Sequence, residues 1–120
     1  MTDLKVNVQH AEDFFRSALD MARRLDMGDR KAKSAVLSFE TMEQFLKALT
    51  PNRWRLLQAL KKCGHSSIRA LSQTLGRDYR GVHADVLALL AVGLISRSEE
   101  GRISVPWSRI TAEIDAEMAA

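Results

Sequence analysis

Apolar and polar residues alternate at the start of the chain: Leu4, Val6 and Val8 are separated by Lys5, Asn7 and Gln9. A period of two predicts a half-buried strand. From about His10 the period lengthens. Phe14, Ala18, Met21, Ala22 and Leu25 fall at helical spacing, and Gly28 supplies a stop. Arg30-Lys31-Ala32-Lys33 follows as a short basic linker, a solvated connection. Ala35 to Phe39 is expected to form a second short strand. Glu40 to Leu49 is expected to be helical, with Met42, Phe45, Leu46 and Leu49 on one face.

Residues 50–98 carry the densest start and stop signals. Thr50-Pro51 is a strong helix entry, because Thr can cap free amides and Pro suits the first helical position. Trp54, Leu57 and Leu60 follow at three-residue steps, and Leu56 widens the stripe. The helix should end near Cys63-Gly64, and Ser66 or Ser67 caps the next one. Ile68, Leu71 and Leu75 give that second helix its apolar face, and Gly76 can take the left-handed conformation that closes it. Asp78 is the expected cap of a third helix, whose inward face is Val82, Val86, Leu89 and Leu90. Its opposite surface near the start offers Tyr79, Arg80, His83 and Ala84.

Gly93 ends the third helix. Leu94 to Arg97 and Arg102 to Val105 then flank Glu99-Glu100-Gly101, the composition of a hairpin with a tight polar turn. Pro106-Trp107 ends the hairpin, and Trp107 is read as a packing residue. In the tail, Ile110 and Ile114 at i,i+4 favour helix, although Ile110, Ala112 and Ile114 also fit alternation; helix is the expectation. The layout is mainly α with a small β component: a winged helix-turn-helix with an N-terminal strand/helix extension. The expected divisions are an accessory or dimerisation region over 1–36, a DNA-binding domain over 37–106, and a tail over 107–120.

Charge sharpens this layout. The net charge of +3 hides a segment, residues 50–98, with eight basic residues against two acidic ones. Residues 1–49 balance eight against eight, and residues 99–120 hold two basic and five acidic side chains. A basic module between neutral and acidic flanks suits a phosphate backbone.

Other classes are disfavoured. The longest apolar run, Val86 to Ile95, contains Gly93 and is too short to span a bilayer. The N-terminus lacks a basic stretch before an apolar core, so a cytoplasmic location is expected. Cys63 is the only cysteine, which excludes an intrachain disulfide and a multi-cysteine zinc site. No cofactor is expected. A Gly-rich phosphate loop and a nucleophile–base arrangement are both missing, and His65-Ser66 adjacency does not build a dyad, so the chain is not expected to be an enzyme.

The candidate DNA contacts are Ser67 and Arg69 at the second helix, Arg77, Tyr79, Arg80 and His83 at the third, and Arg97 and Arg102 on the wing. Base contacts come from the N-terminal part of a recognition helix. Arg80 is the best candidate for one, because guanidinium can engage both major-groove acceptors of guanine. Tyr79 and His83 could meet base edges or phosphate, and Arg77, just before the helix, is better placed for phosphate. A positive charge at a helix N-terminus opposes the helix dipole, which tilts Arg77 and Arg80 toward function. Asp85 cannot favour DNA, so pairing with a nearby Arg or capping a backbone group is its expected role. The wing's glutamates would be repelled at its tip, so contact is expected from its flanks or not at all.

Leu37-Ser38-Phe39-Glu40, Leu49-Thr50-Pro51-Asn52-Arg53, Ser67 to Ser72, Leu75 to Val86, Gly93-Leu94-Ile95 and the wing to Val105-Pro106 together resemble small winged-helix transcriptional regulators of the MarR/ArsR-like group. The resemblance implies a DNA-binding surface around Arg77, Tyr79, Arg80 and His83. It also implies an autoregulating antitoxin as one role, since genes for such proteins neighbour small toxin genes. The cysteine-and-histidine metal-sensing motif of some ArsR-like proteins is absent. The expected function is a sequence-specific DNA-binding regulator, a repressor. Its expected partners are double-stranded DNA, a second copy of the chain, and a small protein toxin in the antitoxin case. The alternative is a winged-helix module for protein–protein contact that neutralises or scaffolds a partner without reading DNA.

Overall fold

Strand β1 (Leu4–Val8) lies between β2 (Ala35–Phe39) and β5 (Ile110–Glu113), parallel to both, in a computed structural model that describes residues 2–26 and 35–116. Parallel neighbours require a crossover connection. Helix α1 (Ala11–Asp26) lies within the β1–β2 crossover, while α2 (Met42–Ala48) and every later element precede β5. The expected Gly28 stop and the Arg30–Lys33 linker fall outside the described residues.

The parallel register puts Leu4, Val6 and Val8 on one face with Ala35, Leu37, Phe39, Ile110 and Ala112. Leu4, Val6 and Val8 are buried, and Phe45 of α2 meets Phe39 edge-on with ring centroids 5.8 Å apart. The other face is tied by polar groups. Ser38 Oγ donates to Asn7 Oδ1 at 2.6 Å, and Lys5 pairs with Glu113. The alternation in β1 therefore sorts the sheet into an apolar and a mostly polar side, with Val36 exposed on the latter.

Two departures from the sequence reading concern this sheet. The tail is a strand over Ile110–Glu113, not a helix. Ile110 and Thr111 are β-branched, and the edge of β1 pairs this backbone with a strand already in place, whereas a short unsupported helix is only marginally stable on its own bonds; Ile114 falls just beyond the strand and is exposed. The division at residue 37 also moves. β2 pairs with β1, so the two compact units are Met1–Lys47 with Trp107–Ala120, and Ala48–Pro106. Leu46, placed on an inward face by spacing, is exposed.

The second unit packs α3 (Pro51–Cys63) on α4 (Ile68–Leu75), and α4 on α5 (Tyr79–Ala91). Thr50 Oγ1 accepts from Arg53 N–H with Pro51 in the first turn, and Ser67 Oγ accepts from Ala70 N–H. Of the two expected caps, Ser67 is therefore the one that serves; Ser66 is buried and donates to the Ser67 carbonyl. Gly76 closes α4 at φ +64°, where a side chain would be strained. Asp78 stands at the start of α5 in extended conformation, but its carboxylate makes no capping hydrogen bond.

A hairpin of β3 (Ser96–Arg97) and β4 (Ile103–Ser104) completes the unit. Ser66 and Ile103 exchange both backbone hydrogen bonds, at 3.0 and 2.9 Å, so the hairpin is stitched to the segment between α3 and α4. Ile103 is fully buried, as are Leu56, Leu60, Leu71, Val82, Val86, Leu89 and Leu94. Among the described residues the fold is thus mainly α with a small β component, and no helix is long and apolar enough to cross a membrane.

Ile103→Ala should destabilise the second unit by about 2–5 kcal/mol, the cost of a large-to-small change at a closed site. Urea denaturation followed by far-UV circular dichroism measures it. A loss below about 1 kcal/mol would show that the hairpin is not part of that core.

Candidate nucleic-acid interface

Helix α5 is oriented by one carboxylate. Arg53 Nε of α3 donates to Asp85 Oδ1 at 3.0 Å, and Arg77 Nη2, from the turn before α5, lies 2.9 Å from Asp85 Oδ2. The Asp85 side chain is 15% exposed, against 20% for Arg53 and 27% for Arg77. Arg53 Nη1 also donates to the Ala48 carbonyl at 2.9 Å, which fixes the guanidinium before it meets Asp85. Gly81 makes room for this arrangement, because a Cβ there would stand 3.3 Å from Arg77 Nη2. The expected pairing of Asp85 with an arginine is what the structure has, and with two of them.

That geometry gives Arg77 a partner within the protein. Expected to reach phosphate, its guanidinium faces Asp85, and its buried Nη1 has no hydrogen-bond partner among the described residues. The sequence places Arg77 beside the helix start but does not say which way its side chain turns.

Arg69, Tyr79 and His83 come together on one flank of α5. The Arg69 guanidinium lies over the Tyr79 ring, 5.1 Å from its centroid, and the Tyr79 and His83 rings are 5.7 Å apart and inclined by 32°. Tyr79 thus has a cation–π contact on its face and a tilted ring neighbour, and remains exposed. Arg80 is exposed one residue on, opposite the buried Val82 and Val86. Ser67, at the start of α4, is exposed although its hydroxyl caps the helix.

Arg97 and Arg102 are exposed and belong to the β3–β4 hairpin rather than to this cluster. Arg97 sits across from Ile103, and Arg102 N–H donates to Ser98 Oγ. Arg102 shares a shallow cleft with His65, Ser98, Glu99 and Glu100, so its charge stands among the hairpin's carboxylates. Among the described residues, no group of three or more histidine, cysteine, aspartate or glutamate side chains is placed to hold a metal ion.

Spacing alone missed Leu87. It lies on the same exposed side of α5 as Arg80 and Ala84 and is 46% exposed. Its position seven residues after Arg80 was the available signal, because i and i+7 share a helix face.

A family model described as HVO_A0114 matches residues 48–112, more than half of the chain. No curated protein matches the chain, and no solved structure does.

Asp85→Ala removes the shared carboxylate and leaves two poorly solvated guanidinium groups. We expect a loss of about 2–4 kcal/mol in unfolding free energy, since stripping one partner from a mostly buried pair costs more than the pair's net worth. A double-mutant cycle with Arg53→Ala should recover at least about 0.5 kcal/mol as coupling. Additive losses would mean that the two side chains do not act together.

Proposed function

We propose that this chain, which belongs to the HVO_A0114 family, is a sequence-specific DNA-binding regulator acting as a repressor. The family's description names no activity, so the reading rests on geometry and charge. In it, α4 and α5 form a helix-turn-helix. The connection Gly76-Arg77-Asp78 is a three-residue turn containing glycine, the kind of link such pairs use. The β3–β4 hairpin is the wing, and α5 is the recognition helix.

The observation that carries the proposal is the exposed start of α5. Arg80 points away from the core beside a Tyr79 ring flanked by Arg69 and His83. Ser67 and Arg69 at the start of α4 supply backbone-facing contacts, because phosphates are bound by arginines, hydroxyls and helix N-termini. Arg97 and Arg102 serve as flank contacts of the wing. Arg77 acts indirectly, by fixing the turn.

A second copy is the proposed protein partner. Half-sites one helical turn apart would place two α5 helices about 34 Å apart on a palindromic operator. The first unit offers the contact: Leu19 is 64% exposed on an amphipathic helix. A small toxin as partner, and with it an antitoxin role, is the narrower form of the proposal and rests on the family resemblance. The reading is of a binding protein rather than an enzyme, working in the cytoplasm. One observation favours the competing protein-binding role: Leu87 is an exposed apolar side chain on α5.

Binding to duplex DNA should weaken steeply with salt, because each neutralised phosphate releases counterions. Titrating promoter DNA from low to physiological salt measures the slope; binding that is absent at low salt, or indifferent to salt, would favour the protein-contact role.

Arg80→Ala and Lys62→Ala should differ in kind. The first is expected to cost about 1–3 kcal/mol of discrimination at one operator position, with random DNA much less affected. The second is expected to weaken specific and random binding alike. Competition with single-base operator variants compares them, and unchanged specificity in Arg80→Ala would reject Arg80 as a base reader.

Leu19→Glu, a change at the exposed face of α1, should yield monomers without cooperative operator binding. Sedimentation that finds the intact chain monomeric at micromolar concentration would remove the dimer from the proposal.

A further inference from the structure

The solvent side of α5 differs in kind from that of its neighbours. On α3 the exposed positions beyond the entry proline are Asn52, Arg55, Gln58, Lys61, Lys62 and Cys63, nearly all polar. On α5 they are Tyr79 and Arg80 followed by Ala84, Leu87 and Ala91. A helix facing only water ordinarily carries charged and polar residues there. The one carboxylate within α5, Asp85, is turned away to Arg53 and Arg77. What remains is an aliphatic strip with a guanidinium at its N-terminal end and no negative charge.

Resting on the DNA-binding proposal above, we infer that Ala84 and Leu87 read thymine 5-methyl groups in the major groove beside the base engaged by Arg80. The thymine methyl is the apolar group that a major-groove edge presents, and aliphatic side chains are its complement. Arg80, Ala84 and Leu87 follow one another at i, i+4 and i+7, on the face opposite Val82, Val86 and Leu89. From Arg80 to Leu87 the helix rises about 10 Å. That distance corresponds to about three base-pair steps and fits a groove about 12 Å wide. Charge complementarity favours DNA over an apolar protein surface as the occupant. Arg80 continues the strip and Arg69 flanks it, both exposed and positive, and the strip itself carries no carboxylate, the exposed Asp78 lying before α5 begins. Ala84 has only a methyl to offer and must lie close to its base, whereas the longer Leu87 can reach where α5 begins to leave the groove.

The test uses the 120-residue chain and the duplexes it enriches from a random 20-base-pair library. Each enriched duplex is resynthesised with deoxyuridine replacing one thymidine at a time, which removes a single methyl group. One or two positions should lose affinity by roughly fourfold each, the worth of one buried methyl. Leu87→Ala and Ala84→Ser, both surface changes, should each abolish the loss at one of those positions while leaving affinity for the matching deoxyuridine duplex within about twofold of the parent chain. Specific binding that tolerates deoxyuridine everywhere overturns the inference but leaves the DNA-binding proposal intact, and returns the strip to protein contact. Sensitivity that persists in both variants overturns the assignment to these residues. Failure to enrich any duplex overturns both the inference and the proposal beneath it.

Discussion

The orientation of α5 depends on the sharing of Asp85 between two arginines from different parts of the chain. Arg53 belongs to α3 and Arg77 to the α4–α5 turn, so one carboxylate joins three segments. With side chains only 15–27% exposed, the charges are poorly screened, and each loses more from separation than a surface pair would. The tie also accounts for Gly81 in a helix where alanine would be intrinsically better: the guanidinium of Arg77 passes where a Cβ would press. Val82, Val86 and Leu89 set which face of α5 is buried, and Asp85 ties that orientation to α3 and to the preceding turn.

That orientation separates the basic residues into two kinds. Arg53 and Arg77 are consumed internally, whereas Arg69 and Arg80 remain at the surface, so the excess charge of residues 50–98 overstates what a polyanion can meet. The acidic residues are sorted as well. Asp85 is neutralised from within, while Glu99 and Glu100 stand at the hairpin turn beside Arg102. A charge count along the chain therefore locates a basic module but does not identify its working face.

The chain order adds a second constraint. β1 is the central strand of its sheet, and its two partners come from before and after the Ala48–Pro106 unit. Completing the small parallel sheet therefore requires the chain to return after the helical unit has been made. Backbone hydrogen bonds such as Leu4 N–H to Arg109 O and Ser108 N–H to Thr2 O mark that return. The unit with the candidate interface is thus inserted, in chain order, between two strands of that sheet.

Local signals in the sequence determined much of this protein. The alternation at Leu4–Val8, the Thr50-Pro51 entry, a serine cap at Ser66 or Ser67, the Gly76 stop and the Val82/Val86/Leu89 stripe each act within a few residues, through backbone sterics or a repeat of two or 3.6, and each is found where its pattern puts it. Arg80 and Tyr79 were legible as exposed for the same reason. The strand at Ile110–Glu113 was not, because its short apolar pattern fits two periods and the deciding backbone partner, β1, lies a hundred residues earlier. Nor were the direction of Arg77, the placement of Arg69 over Tyr79 or the exposure of Leu87, although all four residues are plain in the sequence. Long flexible side chains choose partners by proximity, and burial is set by what packs alongside. Only the tertiary structure, by bringing α3, α4 and α5 together, decided which charges are spent inside and which remain outside.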